Sequence, residues 1–151
     1  MCATHTFAFA TERLQPVLTT QFFQGFALRH LLEGATLSGQ VMAALLEQSS
    51  SLARHSAVWH ITQPAGETEP ALQEYRWTHP SMRPNGHDIG VQCPGCGSLS
   101  SRKGKTHHDK SVTVKCKKAG CKWQQTYQAL DGAKPLNATE GAWMTRIISF
   151  T

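Results

Sequence analysis

The sequence lacks any run of roughly 18 consecutive apolar residues, which excludes a membrane-spanning helix. It has no internal repeat and no long low-complexity tract, so a repeat architecture is not expected. Its opening, MCATHTFAFA at Met1–Ala10, is short and has no basic start, which argues against a secretory leader. The chain is therefore expected inside the cell, and in the nucleus if its source is eukaryotic. Catalytic motifs are missing as well. There is no His-x-Glu of the zinc deaminases, no nucleophile elbow, no phosphate-binding glycine loop and no zincin motif. An enzyme is not expected. Acidic residues are few, 10 against 15 Lys and Arg, for a net charge of +5. Cysteine is scarce too, at five in 151 residues.

Four of those five cysteines fall in Val91–Tyr127, the stretch around which the chain is organised. Cys93 and Cys96 are separated by two residues, Cys116 and Cys121 by four, with nineteen residues between the pairs. A Cys-x2-Cys turn aims two thiolates at one point, and a tetrahedral metal needs two such turns facing each other. Pro94 and Gly95 form the first turn, Gly97 follows where a positive φ is often needed, and Gly120 relaxes the second. Val112 and Val114 alternate with polar neighbours in Ser111–Cys116, a strand pattern, and Trp123–Gln128 is rich in strand formers. Two disulfides would use the same cysteines, but the spacing is that of metal ligands and nothing marks secretion. One structural Zn2+ per chain, held by Cys93, Cys96, Cys116 and Cys121, is the expectation. Four thiolates leave no open position for substrate, so such an ion builds structure and does no Lewis-acid chemistry. Cys2 is read as a spare thiol near a terminus.

On CPGCG, CKKAGC and the strand pattern between them, the stretch resembles the four-cysteine zinc-ribbon superfamily of transcription, transposition and topoisomerase-tail modules. The resemblance covers residues 91–128 only. It departs from the pattern in the wider second pair and in Lys122, which stands where the first turn has Gly97. Ribbons of transcript-cleavage factors carry an Asp-Glu pair at the loop tip; here the tip is GKTHHDKS, so that activity is not implied.

Charge concentrates on the same stretch. Arg102, Lys103, Lys105, Lys110, Lys115, Lys117, Lys118 and Lys122 are opposed only by Asp109, so this segment carries +7 and the remainder sums to −2. A basic module on a mildly acidic body points to a polyanion. The expected partner is nucleic acid, DNA before RNA, with lysines on phosphates and Trp123 or Tyr127 placed to stack on an unpaired base. The competing reading is an oligomeric adaptor in which the ribbon is only a staple and the lysines are a solvated face. A weaker one is a small metal-dependent nuclease using His107, His108 and Asp109, or His87 and Asp88.

The rest of the chain reads as α+β: an N-terminal helical hairpin, a small antiparallel sheet and a C-terminal zinc ribbon. Residues 1–62 form the helical region, 63–90 a strand and turn connection, 91–130 the ribbon and 131–151 a terminal strand and tail. Leu18, Phe22, Phe26 and Leu31/Leu32 recur at helical spacing after Pro16. Gly34 stops that helix, and Thr36 or Ser38 caps a second with Val41, Met42, Leu45, Leu46 and Leu52 on its apolar side. The Phe22-Phe23-x-x-Phe26 cluster is read as core. Ala57–Thr62 and Leu72–Thr78 are expected to pair across QPAGETEP, and Gly141–Thr151 reads as a strand. Self-association through the helices is expected, because small cores are marginal.

Overall fold

The computed structural model describes residues 5–11, 14–63, 66, 68–99, 102–136 and 142–149. Cys2, Phe150 and the sequon Asn137-Ala138-Thr139 lie outside the described residues. The fold is α+β, with helices and two antiparallel sheets. Strands β1 (His5–Phe9), β2 (Val58–Thr62), β3 (Ala71–Trp77), β7 (Lys134–Pro135) and β8 (Trp143–Ile148) make the larger sheet, in the order β1-β2-β3-β8-β7. Strands β4 (Arg102–Thr106), β5 (Val112–Cys116) and β6 (Gln124–Tyr127) make a three-stranded ribbon in chain order.

The expected hairpin across QPAGETEP forms, with Val58 opposite Tyr75 and Thr62 opposite Ala71. The terminal strand forms as well, and pairs with β3. The sequence reading does not name β1, which adds to the outer side of β2. Its alternation of His5, Phe7 and Phe9 is the signal that marks it.

The first helix enters through a 3-10 turn, Pro16–Thr19, continues as α1 (Thr20–Phe26) and ends in a π-helical segment, Ala27–Leu32. Helix α2 (Gly39–Gln48) packs against α1. Its N-cap is Ser38, whose side chain accepts from the Val41 N–H. The short α3 (Ser50–Ala53) follows. The helices share one core with the larger sheet: Phe22, Met42, Leu45, Leu46 and Leu52 pack with Val58, Tyr75 and Trp143. Of the Phe22-Phe23-x-x-Phe26 cluster read as core, Phe22 is fully buried and Phe26 packs on the core, whereas Phe23 is 42% exposed.

Leu31 and Leu32 depart from the expected stripe. They are 65% and 80% exposed. A π turn holds more residues than an α turn, so it shifts the phase of every side chain after it. Leu18, Phe22 and Phe26 precede the shift and face the core.

Two polar clusters tie the body together. Glu74, 1% exposed, sits among Trp59 Nε1 at 3.0 Å, Arg146 Nε at 2.6 Å and Arg76 Nε at 2.8 Å. Burial alone would raise its pKa; the bonds from Trp59 and Arg146 and the charge of Arg76 beside it outweigh that and hold the carboxyl below its ordinary value. The second cluster joins His5, His30 and His60. His5 Nδ1 lies 3.0 Å from His60 Nε2, the His30 ring meets His5 edge-on at 5.2 Å, and Phe7 stacks on His60 at 4.7 Å.

Burial, with His5 and His30 beside it, lowers the His60 pKa from 6.5 to about 4. The unfolded chain therefore takes up a proton near pH 6.5 that the folded chain refuses until about pH 4. Stability is present above the unfolded value and is lost as pH falls through that window, by up to roughly 3 kcal/mol. Denaturant melts from pH 7.5 to 4.5 should show this slope, and His60→Gln should flatten it. An equal slope in both proteins would place the titration elsewhere.

Candidate metal centre and basic ribbon face

Each cysteine pair sits in a turn closed by backbone bonds. In the first, Cys93 N donates to Ser98 O at 2.9 Å, and Cys93 O accepts from Gly97 N at 2.8 Å and Cys96 N at 3.4 Å. Gly97 has φ +65°, a conformation that L side chains resist. A bridge between Gln92 and Leu99 closes the loop behind it. The second turn starts where β5 ends. Cys116 N donates to Trp123 O at 3.1 Å, Cys121 N to Lys118 O at 3.1 Å, and Lys118 N to Cys116 Sγ at 3.4 Å. The Lys117–Gly120 stretch takes up the extra length of the x4 spacing, with Gly120 at φ +79°.

The two turns face each other. Cys93 Sγ lies 3.8 Å from Cys121 Sγ, and Cys96 Sγ lies 3.9 Å from Cys116 Sγ. All four sulfurs are within 4.8 Å of one another. Four thiolates at about 2.3 Å from a tetrahedral ion stand about 3.8 Å apart, so the set can hold one metal ion. Cys93 is buried and the other three are half-buried. Without a cation the four thiols cannot ionise together. Ser98, whose Oγ is 3.1 Å from Cys96 Sγ, holds the Cys96 thiol down to about 6. The Cys121 thiol has a lowering bond from Trp123 N–H, but desolvation and the neighbouring sulfurs of Cys96, Cys116 and Cys93 push it up to about 12. A bound divalent cation relieves this conflict: it offsets part of the thiolate charge and lets all four sulfurs ionise together. Ser98 is the member of the site that the sequence reading misses.

The ribbon is docked on the body. Gly104 packs flat under Pro80: a Cβ there would lie 2.0 Å from the Pro80 carbonyl oxygen. Gly104 N donates to Ser81 Oγ at 2.9 Å. Asn85, with φ 50°, donates to Lys110 O at 3.0 Å and Tyr127 O at 3.1 Å. The turn Pro84–Gly86 lies against β5, whose Val112 and Val114 are buried.

That docking gives the ribbon an inner and an outer face. Lys103 and Lys105 alternate with Arg102 and Gly104 along β4, and Lys103 pairs with Lys115 across to β5. All three lysines are exposed on the outer face. Thr113, Thr126 and Gln124 lie in the same rows, with Thr113 bonded to Thr126 at 2.8 Å and to His107 at 2.9 Å. No carboxylate among the described residues forms an ion pair with any of these lysines. Lys110 sits at the β4–β5 tip with φ 64°. Lys117, Lys118 and Lys122 cluster instead around the second cysteine turn, where Lys118, Lys122 and Trp123 border an open cleft. Arg102 belongs to neither group. Its guanidinium lies 5.7 Å over the Trp123 ring and donates to the carbonyls of Gly90 and Gln92. Trp123 is half-buried, and a Cβ on Gly95 would lie only 2.8 Å from its own Cβ.

His87 and Asp88, and His107 and Asp109, do not converge on a shared metal site. His107 bonds Thr113, and Asp109 accepts from Ser111 N at 3.0 Å and Oγ at 2.7 Å, which lowers its pKa. His87 bonds Gln128 O at 3.0 Å, and Asp88 pairs with Arg83 at 2.7 Å. Among the described residues, Cys93, Cys96, Cys116 and Cys121 are the one group of three or more ligand side chains with metal-holding geometry. No helix among the described residues is long and apolar enough to cross a membrane. No protein-family model, curated protein or solved structure matches this chain, so its function has to be read from its own geometry.

Proposed function

We propose that this protein binds nucleic acid, DNA before RNA, through the outer face of a ribbon held by one structural zinc ion. The observation that carries the reading is the row of Lys103, Lys105 and Lys115, exposed on one face with no paired carboxylate among the described residues. Residues two apart on a strand stand roughly 7 Å apart on one face. The row therefore meets a sugar–phosphate backbone with several ammonium groups at once, flanked by threonine hydroxyls that donate to phosphate oxygens. Zinc suits four thiolates in a closed tetrahedral set, and its role is to hold the two turns. The test is binding to duplex and single strands across a salt series.

A second reading, self-association or an adaptor role through the first helix, is favoured by Leu28, Leu31 and Leu32, which are 50%, 65% and 80% exposed. A second copy covering this patch would shield apolar surface and double the basic surface. Light scattering should then report a dimer that Leu31→Glu with Leu32→Glu converts to monomer. A wild-type monomer at every working concentration removes this reading.

A further inference from the structure

A cavity of about 320 Å³ lies where the ribbon meets the body. Trp77, Met82 and Val91 give it apolar wall, and Arg54, Arg83 and Arg102 give it positive charge. The charge is poorly compensated. Arg83 is 4% exposed, with Asp88 at 2.7 Å and the Ala53 carbonyl at 3.0 Å, but its Nε has no hydrogen-bond partner among the described residues. Among the described residues, Arg102 donates only to backbone carbonyls, and its Nε is buried without a hydrogen-bond partner. The Arg54 side chain is exposed and has no ion pair or hydrogen bond among the described residues. Asp88 is the sole carboxylate among the described residues that pairs with these arginines, and it is shared with Arg76 at 3.7 Å.

A cavity with an indole wall and surplus guanidinium suits a flat ring carrying an anion. Its place in the fold narrows the ligand. Arg102 opens β4, the edge strand of the ribbon, and Lys103 and Lys105 alternate with it onto the outer face. A strand whose phosphates followed those lysines would pass the edge from which Arg102 lines the cavity. A base that is paired and stacked in a duplex cannot enter it; an unpaired base can.

We propose that this cavity takes one unpaired nucleotide, its base against Trp77 and its phosphate between Arg54 and Arg102. The inference rests on the nucleic-acid reading and makes the protein a single-strand-preferring binder. The test uses the full, zinc-loaded chain with a short single strand and the duplex of the same sequence. Two variants probe the cavity. Arg54→Gln removes a side chain that no described residue holds, and Val91→Trp fills the cavity from a residue that is 73% exposed. Wild type should bind the single strand about tenfold tighter than duplex, and each variant should lose about that factor on the single strand alone. Equal wild-type affinity for both strands overturns the inference and leaves the nucleic-acid reading standing. So does an undiminished single-strand preference in both variants, or an equal loss on both strands. No binding of either strand by wild type overturns both.

Discussion

Stripping the metal, or replacing Cys116 with Ser, is expected to unfold the ribbon and leave the body folded. A structural zinc site in small domains is worth about 10–16 kcal/mol, which matches or exceeds the whole stability of a typical domain, about 5–15 kcal/mol. The ribbon has little else. Its buried apolar side chains in the strands are Val112 and Val114, covered by the Pro84–Gly86 turn. Without a cation, nothing offsets the charge of four thiolates held within 4.8 Å of one another, so the two turns should separate. The larger sheet keeps its own core of Phe22, Leu45, Tyr75 and Trp143. Hydrogen exchange should therefore show lost protection in β4, β5 and β6 and in the segment around Ser81 and Asn85 that bonds to them, with β2 and β3 still protected. Elemental analysis of protein purified without chelator should give one zinc per chain, and Cys116→Ser should carry almost none. Metal-free protein with an intact ribbon, or a ribbon indifferent to a strong chelator, would refute the zinc reading.

Binding to duplex DNA should weaken steeply with salt. Engagement of about four phosphates gives a log–log slope of roughly −3 to −4, or about a hundredfold loss between 50 and 200 mM salt. Replacing Lys103, Lys105 and Lys115 together with Gln should bring the slope to about −1 and cost on the order of 100-fold at low salt, equally on all sequences, because phosphate contacts position without specifying. These side chains are exposed and unpaired among the described residues, so the variant should fold as wild type does. A triple replacement of Lys117, Lys118 and Lys122, around the second cysteine turn, should change the slope much less. The reverse ranking would move the contact surface to that turn. No binding by the folded, metal-loaded protein at low salt would leave the lysines as a solvated face and put the adaptor reading first.

Several features were legible because their causes are local. Two cysteine turns, Val112 and Val114 in alternation, a helix cap at Thr36 or Ser38 (Ser38 in the structure) and the strand pattern on either side of QPAGETEP all act within a few residues, and each reappears in the structure. The stripe of Leu18, Phe22 and Phe26 was legible for the same reason; Leu31 and Leu32 were misplaced because a π turn changes the helical period without any single residue announcing it. Strand β1 alternates visibly, yet its partner lies roughly fifty residues on, and only pairing gives such a short segment a reason to be extended.

By itself, the sequence determined that four thiolates are spaced for a metal, that the chain between them is strand and turn, and that its cations concentrate there. Tertiary structure alone decided which cations share a face. Sequence places Arg102, Lys103, Lys105 and Lys115 in one basic segment; the pleat of β4 and β5 turns the three lysines outward and Arg102 inward, and the contact of Gly104 with Pro80 determines which side is covered. Arg54 meets Arg83 and Arg102 at one cavity only because the ribbon docks on the body. A single sequence shows periodicity and spacing along the chain, but the face a strand presents to solvent depends on what packs against the other side.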